Sequence, residues 1–202
     1  MNLPEWLDPA QDLILTPRRL RGLVHPVRMK LLQLLQEDGP ATATSLAARI
    51  GQSSGVASYH LRVLAEHGFI AEDTERGNAR DRWWRAVHRS TSFTFRMPGD
   101  PGDEQSVEDA ERFVRMDADE MYRRMVAFID TFAARREELA ELPWTLSYWP
   151  VRLTRDEARA LAEQINAVVA PYRRTQGDPG PREGTERAYF QFQLLPDESR
   201  RD

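Results

Sequence analysis

A run of small polar residues stands at the start of a predicted helix. Three small residues open this helix and three further polar residues follow on its outward side: Ser53, Ser54, Gly55, Ser58, Tyr59 and Arg62. Hydroxyl groups donate hydrogen bonds to phosphate oxygens and base edges, and the first turn of a helix attracts phosphate. The Arg62 side chain is long enough to reach a phosphate or a guanine edge. This combination predicts a surface that contacts nucleic acid.

A second polar group lies between two predicted strands, residues 69–72 and 82–87. The turn between them and the start of the second strand are rich in arginine: Arg76, Asn78, Arg80, Arg82 and Arg85. A basic loop on a β-hairpin is suited to the DNA backbone or the minor groove. We therefore expect a wing, in which Arg80 and Arg82 supply affinity for the backbone and Arg62 sets sequence preference.

Four predicted helices position these residues. Apolar spacing and capping residues indicate helices over 17–24, 26–38, 43–50 and 54–67. The last two are joined through Gly51 and form a helix-turn-helix, a motif that places its second helix in the major groove. Residues 16–90 are therefore predicted to be two helices, a helix-turn-helix and a hairpin.

Charge is divided unevenly along the chain. The net charge is −4 over 202 residues, but residues 16–90 hold twelve basic and seven acidic residues, a balance of +5. The remainder holds 16 basic and 25 acidic residues, a balance of −9. A basic region beside an acidic one suggests a module that binds a polyanion such as double-stranded DNA.

Three motifs resemble the winged helix-turn-helix of the ArsR-type transcription regulators. They are His25-Pro26-Val27-Arg28, Ser58-Tyr59-His60-Leu61-Arg62-Val63-Leu64 and Gly68-Phe69-Ile70. The segment Arg82-Trp83-Trp84-Arg85-Ala86 further resembles an actinobacterial branch of the family that has a C-terminal α/β region. The resemblance is strong over residues 16–90 and loose over 91–195, and it implies a dimeric, cytoplasmic DNA-binding regulator. Arg28, Thr42 and His60 complete the set of candidate DNA-binding residues.

Two departures from the family limit what the resemblance implies. Metal-sensing members bind their metal through cysteine, and this chain has none. Gln52 and Gly55 stand where many members have an apolar residue and a serine, so the family's base preference does not transfer.

Several classes of function are disfavoured by what the sequence lacks. It has no run of about 18 apolar residues for a membrane span and no catalytic or dinucleotide-binding motif. The first twelve residues are acidic rather than basic and apolar, which disfavours export. We expect a cytoplasmic protein that is not an enzyme and has no cofactor or metal.

A linker and a long helix follow the hairpin. Residues 97–105 are rich in Gly, Pro and Asp, which predicts a linker between a DNA-binding domain at 16–96 and a second region at 106–195. Apolar residues then recur at an average spacing close to 3.5 over residues 107–140, as in a helix that packs against a partner, although burial against its own domain is the alternative explanation. We expect a homodimer with a seam of Met121, Met125, Phe128 and Phe132.

The C-terminal region is predicted to form a β-α-β module. Its strands are predicted at 144–153 and 188–194, around a helix that begins after a capping box at Thr154 and Glu157. Aromatic residues of these strands and of the hairpin are candidates for a pocket that binds a small apolar effector: Trp84, Trp144, Tyr148, Trp149 and Phe190. Core packing is the alternative explanation for the same residues.

The whole chain is predicted to have an α+β fold with a winged helix-turn-helix, a dimerising helix and a C-terminal β-α-β module. The predicted function is sequence-specific binding of double-stranded DNA for transcription control. The alternative is a winged-helix module that binds an acidic protein and has no specific DNA site.

Overall fold

The computed structural model describes most of the chain: residues 12–15, 17–76, 82–88, 90–92, 104–142, 144–172, 183–184 and 187–196. The chain divides into two compact units, one of Pro9–Leu146 and one that contains Ser147–Asp202. The predicted linker at 97–105 lies almost entirely outside the described residues, as do Asn78 and Arg80 of the hairpin loop.

Two helices open the larger unit, and each begins at a proline. Helix α1 spans Pro17–Leu23 and α2 spans Pro26–Asp38. Proline is favoured at the first position of a helix because the amide hydrogen that it lacks would have no partner there. The His25 ring caps α2, since its Nδ1 accepts a hydrogen bond from the Val27 amide at 3.1 Å.

Helices α3 and α4 form the predicted helix-turn-helix. Helix α3 spans Ala43–Arg49 and α4 spans Ser54–Glu66. Between them Gly51 has a φ of 65°, a left-handed conformation that glycine adopts without steric cost. Side-chain hydroxyls cap both helices: Thr42 accepts from the Ser45 amide at 3.2 Å and Ser53 from the Val56 amide at 3.3 Å.

Five short strands complete the winged helix. They are β1 at Asp12–Ile14, β2 at Ala41–Thr42, β3 at Ile70–Glu72, β4 at Trp83–Ala86 and β5 at Ser90–Ser92. Strand β4 lies between β2 and β3 and is antiparallel to both, while β1 pairs with β5 in parallel. The hairpin predicted from the sequence is therefore present, and β2 ties it to the start of α3.

The core of this unit is made mainly of leucine side chains from all four N-terminal helices. Phe69 is 1% exposed and Trp84 is 6% exposed, so the hairpin contributes its large apolar side chains to the same core. The buried cluster consists of Leu15, Leu20, Leu23, Leu31, Leu32, Leu34, Leu35, Leu46, Leu61, Leu64, Phe69, Ile70, Trp84, Ala110 and Phe113. Burial of this apolar surface is the main source of stability for the unit.

Helix α5 packs directly against the winged helix, although a linker was predicted between the two. It spans Glu104–Ile129, and Ala110 and Phe113 lie in the shared core. Ion pairs join its other positions to α1 and α2: Arg21 with Asp109 at 3.5 Å, Lys30 with Glu120 at 3.6 Å and Arg124 with Glu37 at 3.2 Å. The helix is therefore held by both apolar burial and charge.

The end of the long helix differs from the prediction of residues 107–140. Helix α5 ends at Ile129, turns occupy residues 130–134, and a separate short helix, α6, spans Arg136–Leu139. The Thr131 hydroxyl donates to the Phe128 carbonyl at 2.7 Å, a local hydrogen bond that satisfies a carbonyl at the helix end. The apolar period continues to Phe132, but the helix does not.

The C-terminal unit contains one long helix. Helix α7 spans Arg155–Val169 and continues as a single 3₁₀ turn over Ala170–Tyr172. The predicted capping box is present, because the Thr154 hydroxyl accepts from the Glu157 amide while the Glu157 carboxylate accepts from the Thr154 amide at 2.7 Å. The described residues at 144–153 and 187–196 contain no strand, so the β-α-β module is not confirmed.

Candidate nucleic-acid interface

Helix α4 has one buried face and one exposed face. Its buried face consists of Ala57, His60, Leu61 and Leu64. The opposite face holds the predicted contact residues Ser54, Gly55, Tyr59 and Arg62, all of which are exposed, and Ser58 at its edge, which is half-buried. The helix thus presents small polar groups at its first turn and longer ones further along, the order that a major groove admits.

The hydroxyls of Ser53 and Thr42 already serve as helix caps. Ser53 holds the Val56 amide, and Thr42 holds the Ser45 amide and lies 3.2 Å from the Ser45 hydroxyl. A cap of this kind contributes about 1 kcal/mol to a helix. Any contact of these two residues with a phosphate must therefore come in addition to a structural role.

His60, on the buried face of α4, lies beside His25 and Arg28, and its ring also packs edge to face with Tyr59 at 5.1 Å. The rings of His25 and His60 lie 4.3 Å apart, and His60 is 8% exposed. Arg28 folds back onto α1, where its Nη2 donates to the carbonyls of Arg21 and Val24 at 3.1 and 3.3 Å. The structure thus places Arg28 and His60 where they support the recognition helix from inside.

Burial and charge favour the neutral form of both imidazoles. Burial lowers the pKa of His25, and the Arg28 guanidinium lowers it further. Burial also lowers the pKa of His60, with additional contributions from His25 and Arg28. Burial likewise lowers the pKa of Arg28, which stays cationic because a guanidinium titrates far above neutral pH. A neutral pair is consistent with the acceptor role of His25 at the start of α2.

The described part of the wing carries arginines that are already paired. Arg82 lies 3.3 Å from the Glu72 carboxylate across the hairpin, and its guanidinium is 5.8 Å from the centre of the Trp84 ring. Arg76 lies 3.5 Å from Asp73. Exposed ion pairs of this kind contribute at most about 1 kcal/mol, so a phosphate competes for these arginines at little cost. Arg62 makes no ion pair with any residue that the structure describes.

The predicted dimer residues lie at the end of α5 and just beyond it. Met121 and Phe128 are half-buried, while Met125 is 41% exposed and Phe132 is 38% exposed. Phe128 and Phe132 pack edge to face at 5.2 Å, and both rings contact Trp144 at 5.5 and 5.6 Å. Trp144, named from the sequence as a pocket residue, therefore belongs to this aromatic cluster.

The other predicted pocket residues lie in different settings. Trp84 is buried in the core of the winged helix. Tyr148, Trp149 and Phe190 belong to the C-terminal unit, where each is more than two-thirds exposed. The effector pocket stays a prediction.

A family of helix-turn-helix domains matches residues 23–73 of this sequence. The match begins at the end of α1 and runs through α4 to the end of the first hairpin strand. The chain contains a helix-turn-helix domain. Because an antiparallel hairpin follows that domain in the structure, it is the winged form, and the winged helix-turn-helix expected from the sequence is confirmed. The helix-turn-helix is a motif that binds DNA, which supports a DNA-binding role for this domain.

Solved structures that are similar to this helix-turn-helix protein include the following three. One is the homodimeric winged helix-turn-helix DNA-binding domain of a possible ArsR-family regulator from Mycobacterium bovis, with 21% identity, a TM-score of 0.32, and coverage of 51% of this chain and 77% of that one. A possible transcriptional regulator for arsenical resistance has 29% identity, a TM-score of 0.31, and coverage of 55% and 94%. A variant of ZitR from Lactococcus lactis has 12% identity, a TM-score of 0.31, and coverage of 73% and 75%. No curated protein matches.

Two groups of acidic residues in this helix-turn-helix protein were not predicted from the sequence. Glu72 and Asp73 pair with the wing arginines, and Asp109 and Glu120 hold α5 against the N-terminal helices. Burial works to raise the pKa of Glu120, but Lys30, Arg124 and Arg123 outweigh it and lower the pKa overall. The sequence offered no signal for these pairs, because their partners lie far apart along the chain or across a turn.

Two searches of the described residues returned nothing. No group of three His, Asp or Glu side chains among them is arranged to hold a metal ion. No helix among them combines the length and the apolar character needed to cross a bilayer.

Proposed function

We propose that the chain regulates transcription by recognising a specific sequence in double-stranded DNA. The observation that supports this most directly is the exposed face of α4, where Ser54, Gly55, Tyr59 and Arg62 point away from a closed core. A face of this kind fits the major groove, and the helix N-terminus beneath it favours a phosphate.

The two groups of arginines have different roles in this proposal. Arg62 lies on the recognition helix and reads base edges, since arginine forms two parallel hydrogen bonds with guanine. Arg82 lies at the start of β4 and neutralises a phosphate, which carries no sequence information. Loss of Arg62 should therefore change specificity, and loss of Arg82 should change general affinity.

The test begins with selection of binding sequences from a pool of random duplexes. The wild-type chain should enrich a defined site that keeps its bound protein in an excess of random DNA. Arg62→Ala should lower the preference for that site by about 1–3 kcal/mol, whereas Arg82→Ala should weaken all duplexes alike and reduce the salt slope by roughly one. Arg112→Ala, an equal charge change at an exposed position of α5, is the matched control.

One observation favours the second candidate, a module that binds an acidic protein. Two of the described wing arginines, Arg82 and Arg76, already pair with carboxylates, namely Glu72 and Asp73, so this surface accepts carboxylates as well as phosphates. Two results would favour this candidate over the regulator. The selection would enrich no site, and an excess of random DNA would abolish the binding of the chain to every duplex.

A homodimer through α5 is the second part of the proposal. Exposed apolar side chains form a stripe along the helix, and Val107, Val114, Tyr122, Met125 and Ile129 are between 41% and 65% exposed. An apolar stripe of this length at a spacing near 3.5 is typical of a helix that pairs with a partner. A twofold pair would place two α4 helices on half-sites about one turn of DNA apart.

Sedimentation of the full chain tests the dimer. The wild type should have the mass of two chains at micromolar concentration, and Phe128→Asp should give a monomer because a carboxylate would be buried in the seam. A wild-type chain that sediments as a monomer under these conditions would contradict the homodimer.

A further inference from the structure

The C-terminal unit has apolar side chains, but its described residues form no buried core. None of the described residues at 147–172 and 187–196 is buried, and helix α7 has no buried position. Large side chains are the most exposed: Tyr148 at 88%, Tyr172 at 85%, Trp149 at 76% and Phe190 at 67%. A folded segment needs apolar burial to offset its loss of conformational entropy, and here the single chain provides very little.

The two segments that flank α7 have the composition of buried strands. Residues 144–151 and 188–195 contain no charged side chain at all and alternate aromatic or aliphatic residues with Thr, Ser and Gln. Exposed strand edges in soluble proteins usually carry charges or are covered, because they otherwise pair with another chain. The missing charges indicate that these segments are covered in the working protein.

The amount of exposed aromatic surface matches what a dimer needs. At about 150–250 Å² for a whole aromatic side chain, the exposed parts of six aromatic residues amount to roughly 600–1000 Å² per chain. These residues are Tyr148, Trp149, Tyr172, Tyr189, Phe190 and Phe192. A stable interface buries about 800 Å² per partner, so the summed exposed aromatic area is of the size that a second copy would cover.

The charge of this unit also permits self-association. Residues 147–202 contain nine arginines and nine acidic residues, a net charge of zero, although the whole chain has a net charge of −4. Two copies of this unit therefore meet without net repulsion. An acidic or basic partner, by contrast, would gain nothing from its charge.

We propose that the aromatic surface of residues 148–195 is a dimer interface, and that a second copy of this chain completes the C-terminal unit. This proposal rests on the homodimer proposed above and adds a second contact to the one along α5. It commits to the same chain as partner. The effector pocket predicted from the sequence would then require residues that the dimer itself buries.

The experiment is hydroxyl-radical footprinting of the full chain across its association range, with the mass measured by sedimentation in parallel. Tyr148, Trp149, Tyr172 and Phe190 should lose reactivity several-fold as the mass doubles. Tyr122 on α5 reports the α5 contact separately, and Tyr59 on α4, 58% exposed, should stay reactive until a selected duplex is added. The C-terminal contact, the α5 contact and DNA binding thus have separate reporters.

A pair of variants provides the second measurement. Trp149→Glu places a carboxylate in the proposed interface and should raise the dimer dissociation constant by more than about tenfold, as loss of a buried tryptophan anchor does. Gln164→Glu adds the same charge at an exposed position of α7 and should change the constant less than about twofold, as expected outside an interface.

Three results would overturn the proposal. They are a doubled mass with unchanged reactivity at Tyr148 and Trp149, reactivity already low in the monomer, and a chain that never associates. Protection of Tyr59 by the selected duplex would leave the proposed DNA binding intact in each case. Loss of that protection with a normal C-terminal footprint would instead count against DNA binding alone.

Discussion

The winged helix and the C-terminal unit use their aromatic residues in opposite ways. In the winged helix Phe69 and Trp84 are at most 6% exposed and close a leucine core. In the C-terminal unit Trp149 and Phe190 are more than two-thirds exposed. An apolar period in a sequence therefore tells which side chains will be covered, but not whether the chain covers them itself. The winged helix covers its aromatic residues within one chain, whereas those of the C-terminal unit would be covered in the proposed dimer.

The largest expected difference between the two units is in the cost of truncating a leucine. Leu61 is fully buried and Leu195 is 75% exposed. Leu61→Ala should lower the free energy of unfolding by about 2–5 kcal/mol, because it removes buried methyl groups and leaves a cavity. Leu195→Ala should change it by less than about 0.5 kcal/mol in the monomer. Urea denaturation at a concentration below dimer formation measures both, and equal effects would contradict the comparison.

Acid should destabilise the winged helix through the pair of imidazoles. The pKa values of His25 and His60 are lowered below 6.5 in the folded chain, so the unfolded chain binds protons first as the pH falls. Stability is therefore complete above pH 6.5 and is lost as the pH falls below it. Protonated His25 no longer accepts the Val27 amide, and the loss of that cap costs on the order of 1–2 kcal/mol.

The check is denaturation of the larger unit between pH 7 and pH 5. His25→Asn retains an acceptor for the cap but does not titrate, so its profile should be flatter than that of the wild type. A wild-type profile that is flat over this range would show that the pair has no part in stability.

A smaller effect is expected at the start of α7. Thr154→Ala removes the hydroxyl that holds the Glu157 amide and should cost about 1 kcal/mol of helix stability. Because α7 lacks buried residues in the single chain, its amides should exchange with solvent faster while those of α4 are unchanged. Ser53→Ala is the matched variant for α4 and should produce the reverse pattern in amide exchange measured by NMR.

The smallest effect is expected for an ion pair within one exposed face of α5. Arg115 and Glu111 pair at one helical turn, with side chains 75% and 60% exposed. Arg115→Ala should cost about 0.2–0.5 kcal/mol, and added salt should remove the difference. Arg124 is 26% exposed and joins α5 to α2, so Arg124→Ala should cost more in the same thermal unfolding measurement.

The parts of the fold that were predictable are those with local signals. Prolines, hydroxyl caps and Gly51 fix the ends of α1 to α4, and these residues act within one turn of where they stand. The pairing of β1 with β5 was missed because its partners are more than 70 residues apart. The end of α5 at Ile129 was missed for another reason: the apolar period continues into Phe132, and only a local hydrogen bond at Thr131 accompanies the stop.

The candidate site likewise contains residues whose positions were predictable from the sequence and residues whose positions were not. Exposure of Tyr59 and Arg62 follows from their position on a helix whose other face is apolar, and the sequence was enough to place them. The inward positions of Arg28 and His60 depend on contacts with α1 and with His25, which no spacing along α4 reveals. The exposed candidate DNA-contacting residues were thus more predictable than the residues that support α4 from behind.

Strand β4 links the wing rigidly to the helix-turn-helix. Its Trp83 and Trp84 lie in register with Thr42 and Ala41, and on the other side it pairs with β3. Thr42 is also the cap of α3, so wing, strand and helix-turn-helix are joined through one continuous set of hydrogen bonds. These hydrogen bonds fix the spacing between the wing and the helix-turn-helix, and a bound duplex would have to match it. In the proposed complex with DNA, sites that already have a matching groove width, or bend to it at low cost, should bind best, and DNA shape should contribute to selection at base pairs that no side chain touches.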